Sequence, residues 1–430
     1  MKKINYQQRD FDQALQVLFD RPSYPQEIET GVREILDNVK QHGNSALIKY
    51  AEKFDKVKLT AEKFLVSEDE LKQASAKVDS AGKKAIKAAL KNVTDFSKQR
   101  IPQPWSYSPR PGVIVGERFE PMQRVGVYIP GGTAPLVSTV VHTAGIAKAA
   151  GVSEIVAITP PDSDGNVHPA VLYAMKQAGV TEIYRLGGVY GVAALAYGTD
   201  TIKKVDKIVG PGNQYVTAAK KMVYGDVAID MVAGPSEIMV IADEKSNPQF
   251  IAADMLSQAE HGSGCEQAVL LSTDAEMIEL VAAALEERKQ QLTRVETVDK
   301  VMANGIFLIQ VEDLKQAAEI ASKYAPEHLE IMCKQAGNVA KKVKAAGAIF
   351  IGEWTPEPVG DFCAGPSHVL PTAGSAKFFS GLTVEGFFRR MSILNYQKTA
   401  LKRELPHILE FAKMEGLDAH GNSAAVRFEE

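Results

Sequence analysis

Histidine is scarce in this chain, with 8 in 430 residues, and three of the histidines stand near other groups able to bind a metal or move a proton. Gln258 and His261 are three residues apart near the end of a predicted helix that begins with Asn and Pro. That spacing places both side chains on one face, at the C-terminal end of the helix. Asp361 lies in a turn-rich stretch, and His420 lies in a polar tail. Imidazole and carboxylate are common zinc ligands.

Spacing alone leaves the metal role open, because the chain has no HExxH or CxxC pattern. A histidine at a helix end often makes only a hydrogen bond, and an aspartate beside glycine often makes only a turn. Cys265 and Cys363 are rival ligands by their position in the sequence. The alternative for all three cysteines is a small buried apolar side chain.

The adjacent pair Glu327-His328 follows Pro326 and offers two groups for proton transfer. Neighbouring residues do not share a face within a helix or a strand. Both side chains therefore reach one substrate only at the end of an element, which is where the proline places them. The alternative is a solvated glutamate beside a structural histidine.

Turns rich in glycine follow several predicted strands, and their backbone N–H groups are able to meet phosphates. The turns are Gly131-Gly132, Gly187-Gly188 and Gly210-Pro-Gly-Asn213. No G-x-G-x-x-G is present, so these turns by themselves do not predict a nicotinamide cofactor. Turns of this kind also serve as plain connections between strands and helices.

The elements that position these residues form an α/β fold. Four β-rich runs, Val125–Ile129, Ile155–Thr159, Glu182–Leu186 and Lys207–Val209, start 25 to 30 residues apart, a spacing typical of βαβ units in a parallel sheet. A second series follows, and its predicted strands are Glu237–Ala242, Ala268–Ser272, Ile306–Gln310, His328–Met332 and Ala348–Ile351. Two similar parallel-sheet domains are therefore expected. Ligands of such sheets bind at the carboxyl ends of the strands.

The two ends of the chain are expected to be helical. A short N-terminal arm, 1–25, contains a helix near Phe11–Phe19 and stops at Pro22 and Pro25, and residues 26–100 read as further helices. A C-terminal helix, Ala400–Glu415, precedes a polar tail. The expected division is an arm, 1–25, one α/β domain made of 26–125 and 237–380, a second α/β domain, 126–236, and a C-terminal arm, 381–430.

Charge and composition limit the partners. Lys plus Arg is 49 against 53 for Asp plus Glu, a net charge of −4, which argues against nucleic acid or an anionic membrane as the main partner. No apolar run is long enough to cross a membrane. The polar N-terminus does not look like a signal peptide, and three cysteines do not suggest a disulfide framework. A cytoplasmic protein is the expectation.

Taken together, the motifs resemble histidinol dehydrogenase. They follow the family's order along nearly the whole chain. The matching stretches are 124–136 (RVGVYIPGGTAPL), 204–213 (KVDKIVGPGN), 230–237 (DMVAGPSE), 256–262 (LSQAEHG), 324–330 (YAPEHLE), 360–361 (GD), 368–371 (HVLP) and 415–420 (EGLDAH).

The resemblance implies a zinc enzyme that oxidises L-histidinol to L-histidine, through the aldehyde, with two NAD⁺ at the end of histidine biosynthesis. It implies Glu327 and His328 as the catalytic pair. The residues that match the ligands of one Zn²⁺ per subunit are Gln258, His261, Asp361 and His420. Substrate contacts match Ser236 and Glu415, together with His328 and the zinc ligands.

The family's NAD contacts match Tyr128 and Asn213, whereas a third position, where the family pattern has Gln, is Tyr190 here. A tyrosine is still able to stack or to form a hydrogen bond. The resemblance also implies a homodimer of two Rossmann-like domains per chain. The C-terminal arm would cross over, so that Glu415 and His420 serve the site of the other subunit.

Three alternatives stay open. A related NAD-dependent dehydrogenase with the same skeleton would act on another amino alcohol or on a hydroxy-sulfonate. A zinc hydrolase would use the same metal with Glu327 as base. A metal-binding protein without catalysis is the third. Within the dehydrogenase interpretation, a thiohemiacetal on Cys265 or Cys363 is a competing route for aldehyde oxidation.

Overall fold

The chain alternates strands and helices along most of its length. The computed structural model describes residues 1–21, 27–131 and 135–429. Pro22, Pro25 and Gly132 lie outside the described residues. The strands are β1 (Lys2–Asn5), β2 (Trp105–Tyr107), β3 (Val113–Pro121), β4 (Arg124–Tyr128), β5 (Glu154–Ile158), β6 (Glu182–Tyr184), β7 (Lys207–Val209), β8 (Ala228–Ile229), β9 (Glu237–Ala242), β10 (Gln267–Ser272), β11 (Ile306–Gln310), β12 (His328–Ile331), β13 (Ala348–Ile351) and β14 (Phe388–Tyr396).

The helices carry the side chains that cover the sheets. They are α1 (Phe11–Phe19), α2 (Glu27–Tyr50), α3 (Glu68–Lys77), α4 (Ser80–Lys98), α5 (Val137–Ala150), α6 (Pro169–Ala178), α7 (Gly188–Tyr197), α8 (Gln214–Val223), α9 (Pro248–Ala259), α10 (Ala275–Lys289), α11 (Val295–Asn304), α12 (Leu314–Tyr324), α13 (Ala336–Ala340), α14 (Glu357–Phe362), α15 (Lys398–Glu415) and α16 (Asp418–Ala425). Short π- and 3₁₀-turns complete the regular structure.

Two parallel sheets confirm the predicted α/β fold with two Rossmann-like domains. A five-stranded sheet has the order β6-β5-β4-β7-β8, and a six-stranded sheet has the order β1-β11-β10-β9-β12-β13. All neighbouring strands within these two sheets run parallel. In the larger sheet Glu237 pairs with Gln267 and His328 pairs with Ile238. The strands that begin at Glu237 and His328, β9 and β12, are therefore each paired with a strand on both sides.

The N-terminal segment differs from the arm that the sequence suggests. β1 pairs with β11 and forms one edge of the six-stranded sheet, although three of its four residues are polar and only Ile4 is buried. The helix α1 confirms the predicted Phe11–Phe19 and buries Leu15 and Leu18 against the same domain. The start of the chain is thus part of the larger sheet domain.

The helices of residues 27–98 pack on the five-stranded sheet, whereas the expected division groups them with the six-stranded one. α2 packs on α7 and α8, α3 on α6, and α4 on α5. The reason is the apolar face of α2, since Val32, Leu36 and Val39 join one core with Leu195 and Val216. The domain limits themselves remain a prediction, but this packing places residues 27–98 with residues 126–236.

A three-stranded antiparallel sheet, β14-β3-β2, was not expected from the sequence. β14 pairs along its whole length with β3 and leads into α15 and α16, which pack on each other. This C-terminal arm exposes large apolar side chains, namely Leu394 (70% exposed), Phe411 (61%) and Met414 (64%). Among the described residues, no helix is both long and apolar enough to span a membrane.

Candidate active site

The catalytic candidates Glu327 and His328 lie where β12 begins. Helix α12 ends at Ala325, which adopts a left-handed conformation with φ of 54°. Pro326 then directs the chain into the strand, so the two side chains leave from the end of an element, as the sequence predicts. Both are buried, with 6% and 2% of their surface exposed. They lie at the amino edge of the six-stranded sheet, not at the carboxyl edge where ligands of such sheets are expected.

The peptide of Glu237 holds both members of the pair. Its N–H donates to Glu327 Oε2 over 2.9 Å, and its carbonyl oxygen lies 3.0 Å from His328 Nδ1. Because a carbonyl only accepts, Nδ1 carries the proton in this contact. Nε2 is then the nitrogen that is able to accept a proton, and within the described residues it has no hydrogen-bond partner.

The Nε2 atom of His328 faces two carboxylates on the short helix α14. Asp361 Oδ1 is 3.5 Å away and Glu357 Oε1 is 3.9 Å away. One ligand atom from each of these three residues lies within 4.8 Å of the other two, a spacing that fits a metal ion. Neither Cys265 nor Cys363 belongs to this cluster.

Burial dominates the proton affinities here. It raises the pKa of Glu327 to about 8 and that of Glu357 to about 8. Burial alone would lower the pKa of His328, but the charges of Glu327, Asp361 and Glu357 outweigh it and raise the value to about 10. For Asp361, contacts from His328 and His368 overcome burial and hold the pKa below its usual range. The site thus concentrates ionisable groups with perturbed pKa values, as active sites do.

Helix α9 ends near this cluster, with Gln258 in its last turn and His261 just after it, but His261 is exposed and does not belong to the group of potential ligands formed by His328, Glu357 and Asp361. The hydroxyl of Ser257 donates to Glu357 Oε2 over 3.0 Å, which joins the end of α9 to α14. Gln258 is fully buried, yet neither atom of its amide has a partner among the described residues. His261 Nδ1 lies 3.1 Å from the carbonyl oxygen of Ser257, which leaves Nε2 free to act as a ligand. A buried amide without partners next to imidazole and carboxylate suits a bound cation.

The substrate candidates lie in two separate parts of the chain. Ser236 directly precedes β9, next to Glu237, and accepts a hydrogen bond from the N–H of Gln267 through its carbonyl oxygen. Glu415 ends α15 and His420 lies on α16, and both side chains are exposed. Within one chain the structure shows α16 packed on α15 and not on α9 or α14.

The cofactor candidates lie at the carboxyl edge of the five-stranded sheet. Tyr128 ends β4, and its hydroxyl accepts from the N–H of Gly188 over 3.2 Å. Asn213 caps α8 through its side-chain oxygen and is exposed. Tyr190 is 1% exposed, and its hydroxyl donates to Asp55. The structure therefore leaves Tyr190 almost no surface for a ligand.

Several residues of the site were not found from the sequence. Glu357 stands four residues before Asp361, a spacing that puts both on one face of a helix and that is visible in the sequence. His368 and His142 stack with ring centres 4.6 Å apart, and His142 is fully buried. His142 comes from α5, so only the fold brings it to His368.

Comparisons with known proteins show the family of the chain. The family model for histidinol dehydrogenase matches residues 20–428. The histidinol dehydrogenase of Clostridium acetobutylicum is 44% identical over 402 residues, covering 94% of this chain and 93% of that protein. Histidinol dehydrogenase 2 of Trichormus variabilis is 44% identical over 432 residues and aligns over 100% of both chains.

The solved structures include a match over the full length. The crystal structure of histidinol dehydrogenase from Elizabethkingia anophelis superposes with a TM-score of 0.94 at 36% identity, covering 100% of this chain and 98% of that one. Sequence similarity and fold thus agree over the whole chain. This chain belongs to the histidinol dehydrogenase family of oxidoreductases.

Proposed function

We propose that this protein oxidises L-histidinol to L-histidine through L-histidinaldehyde, with two NAD⁺ as oxidants and one Zn²⁺ per subunit. The proposal rests on one observation: the peptide of Glu237 forms hydrogen bonds with both Glu327 and His328, and this pair lies beside a cluster of potential metal ligands. A four-electron oxidation needs one group that takes the alcohol proton and one that activates water. His328 and Glu327 supply these two groups side by side.

The zinc would be held by Gln258, His261 and Asp361 of one subunit and His420 of another. The unpartnered amide of Gln258 supports this choice. When bound, the metal would supply a template and a modest Lewis acid for the imidazole and amino nitrogens of the substrate. Glu357 lies near enough to His328 and Asp361 to influence their charge without belonging to the proposed ligand set.

His328 acts as the base of the first step. Its Nδ1–H donates to the Glu237 carbonyl, so Nε2 is the nitrogen that exchanges protons. Because the raised pKa favours the doubly protonated ring, Nε2 first releases its proton to solvent and then accepts the proton of the substrate hydroxyl while the carbon loses hydride to NAD⁺. The C–O single bond becomes the carbonyl of the aldehyde, and one NADH forms. His328 must return this proton to solvent before it serves again.

Glu327 acts in the second step. Its carboxylate takes a proton from water as the water oxygen bonds to the aldehyde carbon, the carbonyl π bond breaks and an oxyanion forms. Return of that proton to the oxyanion gives the neutral hydrate. His328 again accepts a hydroxyl proton as hydride leaves for a second NAD⁺, and the resulting acid loses its remaining proton to solvent to give the carboxylate of histidine. The buried position of Glu327 suits this task, because a base with a pKa near the working pH is most effective.

The remaining candidates assist binding. We assign substrate contacts to Ser236 and Glu415. We assign cofactor contacts to Tyr128 and Asn213, which lie at the carboxyl edge of the five-stranded sheet. Tyr190 remains the third cofactor candidate, although it is buried and its hydroxyl donates to Asp55.

A homodimer with shared sites fits the exposed arm. Several large apolar side chains of α15 and β14 are exposed to solvent in the single chain. His420 lies away from the other proposed zinc ligands of its own chain. Exposed apolar surface of this kind is typical of a protein interface. We infer that the arm packs on a second copy and delivers Glu415 and His420 there.

The test is reduction of NAD⁺ after addition of L-histidinol, followed as ultraviolet absorbance, with L-histidine identified as product. Other amino alcohols and hydroxy-sulfonates serve as competing substrates. A related dehydrogenase would prefer one of those, and a zinc hydrolase would leave NAD⁺ unchanged. The absence of NAD⁺ reduction with every alcohol offered would refute the proposed activity.

A further inference from the structure

A buried ion pair ties the start of the chain to the catalytic strand. Arg21 Nε lies 2.8 Å from Glu237 Oε1, and only 11% and 4% of the two side chains are exposed. Arg21 follows α1, far from Glu237 in sequence. Within the described residues Nε makes no aligned hydrogen bond, so the contact is mainly an attraction between charges.

The guanidinium of Arg21 also holds the end of α12. Nη2 donates to the carbonyl oxygen of Tyr324 over 2.7 Å, and the guanidinium carbon lies 3.6 Å from the centre of the Tyr324 ring. Tyr324 stands three residues before Glu327. Gly374 makes room for this arrangement, because a Cβ there would lie 2.5 Å from Arg21 Nη1.

Further hydrogen bonds stabilise Glu237 and the start of the strand beside it. Its Oε1 accepts from the N–H of Ala373 over 3.2 Å. The Tyr324 hydroxyl donates to Gln267 Oε1 over 2.6 Å, which links α12 to the start of the neighbouring strand β10. Arg21 therefore lies where the starts of β9 and β10 meet the end of α12, and the catalytic pair follows directly from that junction.

We propose that Arg21 and Glu237 are positioning residues that fix the Glu237 peptide and, through it, orient Glu327 and set the tautomer of His328. The inference rests on the proposed function for its kinetic consequences. The physical reason is that breaking a buried ion pair leaves the other charge without compensation, so the side chain must rotate, protonate or admit water. A shift of the β9 peptide then misaligns both bases together.

The charge state of Glu237 supports this role. Burial raises the pKa of Glu237 to about 7, and the positive charge of Arg21 acts against the rise. Loss of Arg21 therefore favours the protonated acid or a displaced carboxylate. Either change weakens the packing that holds the peptide between Glu327 and His328.

The test compares Arg21→Gln with Lys3→Gln in the zinc-loaded enzyme. Lys3 makes an ion pair of 2.6 Å with Glu279 in the same N-terminal segment, but that pair is exposed and does not reach the site. We expect Arg21→Gln to lower kcat of both oxidation steps by about 10- to 100-fold, because small displacements of catalytic groups have effects of this size. KM for NAD⁺ and the zinc content should stay within about twofold, and Lys3→Gln should match wild type.

Two further variants separate positioning from folding. Arg21→Lys keeps the charge but loses the planar contacts with Tyr324, so it should recover part of the lost kcat. Glu237→Gln keeps the side-chain volume and should repeat the loss seen for Arg21→Gln. If Arg21→Gln does not fold, these two decide the matter, and folded variants with the kcat of Lys3→Gln would overturn the proposal.

A spectroscopic measurement tests the positioning role of Arg21 independently of the enzymatic activity. In protein labelled with ¹⁵N-histidine, the ring nitrogens of His328 should report a proton on Nδ1, and Arg21→Gln should shift them relative to Lys3→Gln. Absence of NAD⁺ reduction by the wild type would refute the proposed function but leave this shift measurable. Unchanged ring signals in a folded Arg21→Gln protein would refute the positioning role.

Discussion

The carbonyl oxygen of Glu237 lies 3.0 Å from Nδ1 of His328, and this contact assigns the tautomer of the ring. A backbone carbonyl only accepts hydrogen bonds, so the proton resides on Nδ1 and Nε2 is the basic atom. Nε2 faces Asp361 and Glu357 in the interior of the site. The orientation of the base is thus a property of the strand pairing between β9 and β12.

Replacing His328 with Asn should slow both oxidation steps by about 10²- to 10⁴-fold, the usual contribution of a positioned base. The amide of Asn is able to donate to the Glu237 carbonyl, but it has no basic nitrogen at the position of Nε2. Single-turnover kinetics with L-histidinol and with L-histidinaldehyde measure the two steps separately. His42→Asn, at an exposed position on α2, is the matched control and should leave both rates unchanged.

Replacing Gln258 with Leu tests the metal centre. A structural amide without partners costs stability, so a buried Leu of similar size should keep or raise the Tm of the metal-free protein. If Gln258 is a ligand, the same change should lower zinc content and turnover together. Chelation of the wild type should abolish turnover, and added Zn²⁺ should restore it. Full activity in protein shown to be free of metal would remove zinc from the account.

Mixed dimers test whether the active sites are shared. His420→Ala and Glu327→Gln subunits should each be inactive alone. After random exchange, half of the dimers are mixed and each mixed dimer holds one intact site, so about a quarter of wild-type sites should return. No recovery, in mixtures shown to have exchanged, would indicate that each site is built within one chain.

An ion network at the start of the five-stranded sheet predicts a pH dependence of stability. Arg124 Nη1 lies 2.5 Å from Glu154 Oε2 and 2.6 Å from Glu182 Oε1. The hydrogen bond from Arg124 holds the pKa of Glu182 below 4.5, against the effect of burial. A depressed folded-state pKa adds stability above the unfolded value, and that stability is lost as the pH falls through the folded value.

Glu182→Gln should therefore lower the free energy of unfolding at neutral pH by about 1–2 kcal/mol and have a smaller effect near pH 3. Urea unfolding at both values measures the difference. Asp69→Asn, in the exposed pair with Lys72, is the control and should change little at either pH. An equal loss at both pH values would assign the effect of Glu182 to packing and not to its charge.

Much of the scaffold was predictable because its signals are local. The strand Glu237–Ala242 agrees residue for residue with its prediction, since a run of apolar residues ends at charged and polar ones. Ser67 and Glu70, three residues apart, form a capping box, and Asn247 caps α9 as expected. Each of these depends on residues a few positions apart, which sequence spacing displays directly.

The parts that were missed depend on long-range pairing. β1 and β14 contain few buried side chains, so neither shows the apolar pattern of a core strand. The contact between Arg21 and Glu237 joins residues that are far apart in the sequence, so no local spacing predicts it. The packing of α2 on the five-stranded sheet likewise depends on which of two apolar cores receives Val32 and Leu36.

The division of labour between the two bases is tested most directly by counting NADH formed for each L-histidinol consumed by Glu327→Gln. Gln keeps the volume of Glu327 but cannot take a proton from water. The account predicts two NADH for each substrate molecule with wild type and one with the variant, with aldehyde remaining as product. Two NADH from the variant at the normal rate would contradict the assignment of water activation to Glu327.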